Sequence, residues 1–385
     1  MKYSVSNAAI FILALAMLAG LAACSGGQPQ ETGSQQIPAP TEDVTGAVET
    51  EPQEQGEQAT FSVERLVDGP IIYPELDSSI GENIQGPTLL KVPEWVADPL
   101  GTYYLYFADH KGSYIRLAYA DSLEGPWSIY EEGALSLSDT TFLQTPPELT
   151  PEQEAQLPEM AASLGYDPDS QFSHDLIDEA TTPHIASPSV IIDEENQQII
   201  MYLHGLKGVA DQVTRVATSQ DGLHFEQTST EDLGKPYMRV FTVDGEVFGM
   251  AMPGQLYKAD SLLSGFTEAQ TLLTPNARHH DVLVSGDTLY IFWTQVGDAP
   301  EQIYVSTVDI SKPWEEWTAS EPISLMKPER DWEGADAPIE PSIRSTAYGH
   351  VNQLRDPFIY EENGQLYILY SVAGESGIGI AKLLA

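Results

Sequence analysis

A degenerate repeat runs through most of this 385-residue chain, and it restricts the fold to architectures that use one small unit several times. The clearest copy is Tyr103 to Trp127, YYLYFADHKGSYIRLAYADSLEGPW, in which two β-rich runs are split by Lys111-Gly112 and closed by Gly125-Pro126-Trp127. Later copies start at Gln198 (IIMYLHG, then TRVATSQDGLHF), Val247 (FGMAMPG, then LYKADSLLSGF), Thr288 (LYIFWTQVGD, then IYVSTVDISKPWEEW) and Gln365 (LYILYSVAGESG, then IGIAKLL). Aromatic and β-branched residues alternating between Gly and Asp turns predict antiparallel strands. A further strand precedes each copy, opened by Pro87, Pro188 or Pro357 in three cases and formed by Arg239–Val243 and His280–Val284 in the others. Proline lacks the N–H that a ladder needs, so it belongs at a strand start or a sheet edge. The innermost strand of a propeller blade is such an edge, lining the central channel. The expected fold is all-β: a five-bladed β-propeller with about four antiparallel strands per blade. A β-sandwich or jelly roll is the alternative, and the regular spacing argues against it. The last unit ends after three strands, so Phe61 to Leu66 is expected to supply its fourth and close the ring.

The first residues predict an address. Lys2 followed by the apolar run Ala8 to Ala19 reads as a signal peptide over 1–23. Leu21-Ala22-Ala23-Cys24 resembles the bacterial lipobox, whose cysteine is diacylated and becomes the first mature residue, and two acyl chains make a stable anchor. Ser25 in place of aspartate favours the outer membrane or cell surface, with the lipid as the only membrane contact. Residues 24–60 contain no Lys or Arg and few apolar side chains, the composition of a disordered acidic tether. Cys24 is the only cysteine, so the domain at 61–385 has no disulfide and must be held by a core. It carries insertions at about 138–183 and 327–354; the first is expected to hold a short helix capped by Thr150, with Pro151 and Gln153 following. The formal net charge is −41 for the chain and −35 after residue 60, which repels phosphate backbones and excludes a nucleic-acid partner. Such acidity suits a salt-rich medium.

The X-Pro inner-strand starts, aromatic second strands and Gly-Pro-Trp closure resemble the five-bladed propeller glycosidases: glycoside hydrolase family 43 and its relatives in families 32, 62, 117 and 130. The likeness spans about residues 80 to 385, and the segments HIASP, RHH, EPSIRS, QLRDP and AGESGI resemble a separate branch of that superfamily. The resemblance implies that inner-strand starts gather around one end of the channel and hold a carbohydrate. It further implies a base aspartate before the blade-one proline, a second aspartate on blade two that tunes pKa, and an acid glutamate. Gly86 and Ser187 stand at the first two of those positions.

Glycosidic hydrolysis normally needs two carboxyl groups, one protonated and one ionised. Asp356 is the only aspartate directly before an inner-strand proline, reading either as a channel carboxylate or as a turn aspartate. Asp281 has the equivalent place on blade four. Glu340, beside Ile339 and Pro341, reads either as a general acid or as an exposed loop carboxylate. Glu375 lies in the turn after the second strand of blade five, at the opposite end of that strand from its start; it either returns toward the rim to bind substrate or stays away from it. Alternation places His279 and Asp281 on one face and His280 on the other, so His280 is a ligand or a histidine bonded between blades. Arg239, Arg278 and Arg355 stand at inner-strand starts; they either converge on an anionic sugar or pair with neighbouring carboxylates. His184, His204 and His110 line the same rim or are structural.

The leading expectation is a surface-anchored glycoside hydrolase cleaving an oligosaccharide or polysaccharide, with an anionic sugar as the variant the arginines favour. A non-catalytic glycan-binding lipoprotein is the second, favoured by Gly86 and Ser187. A polysaccharide lyase is the third, with His279 or Tyr237 removing a proton beside a uronate. No motif calls for a cofactor or a metal, and a monomer is expected.

Overall fold

The structure, a computed structural model, describes residues 61–163, 175–227 and 229–384. The expected signal peptide, the lipidated Cys24 and the tether lie outside them. Among the described residues no helix is long and apolar enough to cross a membrane.

Strand β1 (Ser62–Arg65) comes first in the chain and is placed last in the ring. Blade one contains β2 (Gln85–Lys91), β3 (Tyr103–Ala108), β4 (Tyr114–Ala120) and β5 (Ser128–Ser136). Helices α1 (Pro151–Ser163) and α2 (Leu176–Thr181) occupy the first insertion. Blade two contains β6 (Ile185–Asp193), β7 (Gln198–Gly208) and β8 (Asp211–Ser219). Blade three contains β9 (Arg239–Val243), β10 (Glu246–Ala251), β11 (Gln255–Ala259) and β12 (Thr267–Thr271). Blade four contains β13 (Ala277–Ser285), β14 (Thr288–Gln295), β15 (Ile303–Asp309) and β16 (Ile323–Met326). Blade five contains β17 (Arg355–Glu362), β18 (Gln365–Ser371) and β19 (Ile378–Leu384), completed by β1. The inner strands β2, β6, β9, β13 and β17 touch in sequence, and β17 touches β2. The molecule is therefore a closed five-bladed propeller.

The two-sided apolar strands explain the architecture. Successive side chains of a strand point to opposite faces. Tyr104, Tyr106 and Ala108 of β3 enter the seam with blade two, while Tyr103, Leu105 and Phe107 enter the seam with blade five. Likewise Ile199 and Met201 of β7 face blade one, and Ile200 and Tyr202 face blade three. Leu289, Ile291 and Trp293 of β14 face blade three, and Phe292 faces blade five. A single sheet would leave one of those faces wet. Five blades give five apolar seams, and each fully buried large side chain contributes about 1.5–3 kcal/mol.

Ring closure follows the sequence expectation: β1 pairs antiparallel with β19, from Ser62 opposite Leu384 to Arg65 opposite Ala381. Arg65 then latches onto the second insertion, donating Nε and Nη2 to Glu333 at 3.0 and 3.1 Å. Blades one, three, four and five have four strands each; in blade two, among the described residues, three strands are followed by the isolated bridges Thr218–Glu226 and Thr214–Gly234. Helix α1 has the expected cap: Gln153 N donates to Thr150 Oγ1 at 3.2 Å, and Thr150 N donates to Gln153 Oε1 at 2.9 Å. Helix α2, capped by Asp175, has no counterpart in the sequence reading.

With a net charge of −35 after residue 60, self-repulsion opposes compaction. The melting temperature is expected to rise from low to molar salt as that repulsion is screened. A flat or falling series of melting curves would remove the argument.

Candidate functional site

One local device recurs where the inner strands begin. The β2–β3, β6–β7, β13–β14 and β17–β18 ladders each shift register near the start of the inner strand. In blades one, two and five the residue before proline sits in each shift with a left-handed backbone: Gly86 at φ +65°, Ser187 at +48° and Asp356 at +50°. Bulges re-aim side chains, and non-glycine residues held left-handed concentrate at functional sites.

Antiparallel pairing brings a second set of residues to the same end. Ser371, at the end of β18, lies opposite Arg355, at the start of β17. The turn after each second strand therefore returns to the inner-strand starts. Glu375 is thus at the polar mouth, one of the two places the sequence left open for it. His110, Glu301 and His204 reach the mouth by the same rule.

Two buried ion pairs converge there. Arg278 donates Nε to Glu301 at 2.8 Å, Nη2 to the same carboxylate at 2.5 Å, and Nη1 to Ile343 O at 2.9 Å. Arg355 donates Nη1 to Glu375 at 2.6 Å and to Ser345 O at 3.2 Å, and donates Nε to Gln353 at 3.0 Å, with Glu301 3.4 Å away. Neither fork is free for a ligand, so the expected substrate role of Arg278 and Arg355 gives way to an internal one. Asn83 Nδ2 donates to Glu375 at 2.8 Å, and His110 Nδ1 stands 3.2 Å from it. Burial alone would raise Glu375; His110, Arg355 and Asn83 outweigh it and hold the carboxyl well below the usual range.

Arg239 differs. It stacks on Tyr237, 4.5 Å from the ring centre, and donates Nη1 to Pro188 O at 3.0 Å. Its Nε and Nη2 have no hydrogen-bond partner, although the residue is buried and Asp281 lies 3.6 Å from Nε. Tyr237 Oη, Gln85 Nε2, His279 Nδ1 and Asp356 Oδ1 are also buried and without hydrogen-bond partners. Leaving such groups bare costs about 1–3 kcal/mol each, and native interiors rarely do so. His279 Nδ1 approaches Asp356 Oδ1 to 3.2 Å, off the axis of a good hydrogen bond, and its ring packs 4.9 Å from that of Tyr237.

The carboxyls diverge in behaviour. Burial pushes Asp356 up to about 6, the charge of Glu375 adds to the rise, and Ser371, Arg355 and Arg278 oppose it. Burial also lifts Asp281 to about 6, against Arg239 and the amides of Ile359 and Val282. Asp281 Oδ2 accepts the Ile359 N–H at 2.6 Å, which pins blade four to blade five. A carboxyl raised in the folded state binds its proton more tightly there than in the unfolded chain, so stability falls as pH climbs from about 4 to about 6, by about 1.4 kcal/mol per unit for each group. Glu375 works in the opposite sense and loses its contribution only in strong acid. Asp356→Asn should remove one share of the fall between pH 4 and 6. Melting curves of both proteins across that window check this, and parallel curves would refute it.

The remaining expected residues are placed as follows. His280 is held between blades, Nε2 to Met250 O at 2.8 Å, consistent with its structural reading. His184 is buried, with Nδ1 on Thr182 O at 2.7 Å; burial and then Lys111 push it down to about 3. His204 packs beside it, ring centres 6.0 Å apart. Glu340 is half-buried two residues before Ser342, on the insertion whose Ile343 and Ser345 carbonyls cover Arg278 and Arg355. Among the described residues no group of three or more His, Cys, Asp or Glu is arranged to hold a metal ion. The sequence reading missed Glu301, Asn83 and Gln85; Glu301 could have been found because it occupies the blade-four counterpart of the Glu375 turn.

Gly86 explains the missing blade-one carboxylate. A Cβ there would lie 3.0 Å from the Ser187 backbone Cα, on a left-handed φ. Gly86→Ala should cost about 1–3 kcal/mol, measurable by denaturant titration, because both strain and crowding oppose it. An aspartate at this position would need Ser187 to give way by a few tenths of an ångström.

No family model matches the chain. CoXyl43, a family-43 β-xylosidase/α-arabinofuranosidase from a compost microbial metagenome, superposes with a TM-score of 0.50 at 10% identity, over 84% of this chain and 95% of that one. A glycoside hydrolase structure from Parabacteroides distasonis gives 0.49 at 11% identity, over 84% and 96%. The likeness to CoXyl43 is one of fold, the five-bladed propeller. Its sequence is 33% identical over 328 residues to Uncharacterized protein R118 of Acanthamoeba polyphaga mimivirus, covering 78% of this chain and 83% of that protein. The chain belongs to the family of that viral protein.

Proposed function

We propose that this protein is an exported, lipid-anchored glycoside hydrolase whose site is the polar mouth of the channel. The observation that carries the reading is the set of buried polar atoms without hydrogen-bond partners on Gln85, Tyr237 and Arg239, at or just before inner-strand starts, beside two carboxyls raised to about 6. A sugar, dense in hydroxyl groups, satisfies such a set. The fold supports carbohydrate as the ligand class, since CoXyl43 was captured with xylotriose. Asp356, Asp281 and Glu340 are the candidate base and acid carboxyls, and inversion with water as nucleophile is the expected course. Arg239, with the unoccupied edge of its guanidinium, favours a sugar bearing carboxylate or sulfate. Gly86 and Ser187, standing where the base and the pKa-tuning aspartate would be, favour a second reading, a glycan-binding protein without catalysis.

Incubation with a panel of neutral, uronate and sulfated oligosaccharides, read by product mass, separates the readings. Gain of one water supports hydrolysis. An unsaturated product points to elimination, and binding without product points to the second reading. Absence of both binding and turnover across the panel would refute the proposal.

A further inference from the structure

We infer that the group meeting the ligand is the imidazole of His279, with Asp356 behind it as a positioning carboxylate, so that the base is a histidine–carboxylate pair. The inference rests on the hydrolase reading and specifies how its site works.

Asp356 is shut in. None of its surface is exposed, Oδ2 accepts from Ser371 Oγ at 2.8 Å, and Oδ1 faces His279 Nδ1 at 3.2 Å. A base must come within about 2.6–3.2 Å of the proton it takes, which a carboxylate enclosed by a hydroxyl and an imidazole does not do directly. The two residues meet because both inner strands are bulged: β13 between Ala277 and His280, and β17 between Arg355 and Phe358. Without those bulges each side chain would follow the ordinary alternation of its strand. Tyr237 packs on one side of the imidazole. Burial, then the charges of Arg278, Arg355, His110 and His280, disfavour protonation of His279, while Asp356 faces it. A turn of the ring that brings Nδ1–H onto this carboxylate, 3.2 Å away, leaves a neutral imidazole with its lone pair on Nε2, the arrangement that serves general-base catalysis elsewhere.

The step balances simply. A water gives one proton to His279 Nε2 as its oxygen bonds to the anomeric carbon. The glycosidic C–O bond breaks, and the departing oxygen takes a proton from the acid carboxyl, for which Glu340 is the candidate.

The test has two arms. On any substrate the panel yields, His279→Asn should lower kcat by about 10³-fold or more with KM little changed, Asp356→Asn by about 10²–10⁴-fold, and the double variant no further than the worse single one. Activity of His279→Asn within ten-fold of the parent would overturn the pair and make Asp356 a direct base. The second arm needs no substrate and tests the pair even if the panel is silent or His279→Asn does not fold. Long-range ¹⁵N–¹H correlation at neutral pH should show His279 neutral and protonated on Nδ1. In Asp356→Asn, Ser371 keeps the amide oxygen, the amide NH₂ faces the ring, and the proton moves to Nε2. A parent protein already protonated on Nε2, or an imidazolium, would refute the inference.

Discussion

Asp356→Asn and Glu340→Gln are each expected to lower turnover by about 10²–10⁴-fold, the usual worth of a positioned acid–base group. The folding consequences should be small. Asparagine keeps the acceptor that Ser371 Oγ uses at 2.8 Å, and it removes a carboxyl that burial already raises to about 6. At neutral pH the Asp356→Asn protein should therefore melt no lower than its parent. Glu340 is half-buried in a loop, and the amide preserves its shape. Steady-state kinetics beside thermal melts check both statements. Full activity in both variants would end the assignment of these carboxyls. Loss in one alone would keep that residue and send the search for its counterpart elsewhere.

The largest effect on stability is expected at Glu301. This carboxylate is wholly buried and stands between two buried guanidinium groups, 2.5 Å from Arg278 Nη2 and 3.4 Å from Arg355 Nε. Desolvating three charges is costly, and the geometry offsets that cost only while all three are present. Glu301→Gln leaves two cations with one fewer counter-charge, which should cost about 3–5 kcal/mol, the usual penalty for breaking a buried pair. For a domain of this size that corresponds to a fall in Tm on the order of 10 °C. Glu329, paired with Arg65 but 52% exposed, provides the contrast, and Glu329→Gln should leave Tm nearly unchanged. Equal melting of the two variants would show that the Arg278–Glu301–Arg355 chain contributes nothing net. Because Arg355 also holds Glu375, the same substitution should disturb the mouth while leaving the seams intact.

The architecture was legible because a propeller writes the same instruction five times. Tyr103 to Phe107 is apolar on both faces, and only a sheet covered on both sides can bury such a strand. Pro87, Pro188 and Pro357 mark strands with an unpaired edge. Phe61 to Leu66 was assigned to the last blade by counting strands, and the ladder from Ser62 to Arg65 agrees. Blade two shows the limit of counting, since among the described residues two isolated bridges stand along its outer edge where a fourth strand would run.

The site was legible only in part. Residue types and strand positions drew attention to His279, Asp281, Asp356 and the three arginines, but their partners lie far away in the chain. Arg278 and Arg239 stand at equivalent strand starts; one is closed off by Glu301 and Ile343, while the other keeps an unpartnered edge over Tyr237. For Glu375 the sequence left two places open, and the pairing of Ser371 with Arg355 puts it at the mouth. The sequence by itself determined the repeat, the strands, their two-sided burial and the closing segment, all of which follow from side-chain periodicity within a few residues. The tertiary structure alone decided which carboxyls burial raises, which arginine keeps donors without a hydrogen-bond partner and which side chains meet at the strand starts. Those properties depend on burial and on charges from other blades, and neither is a property of local sequence.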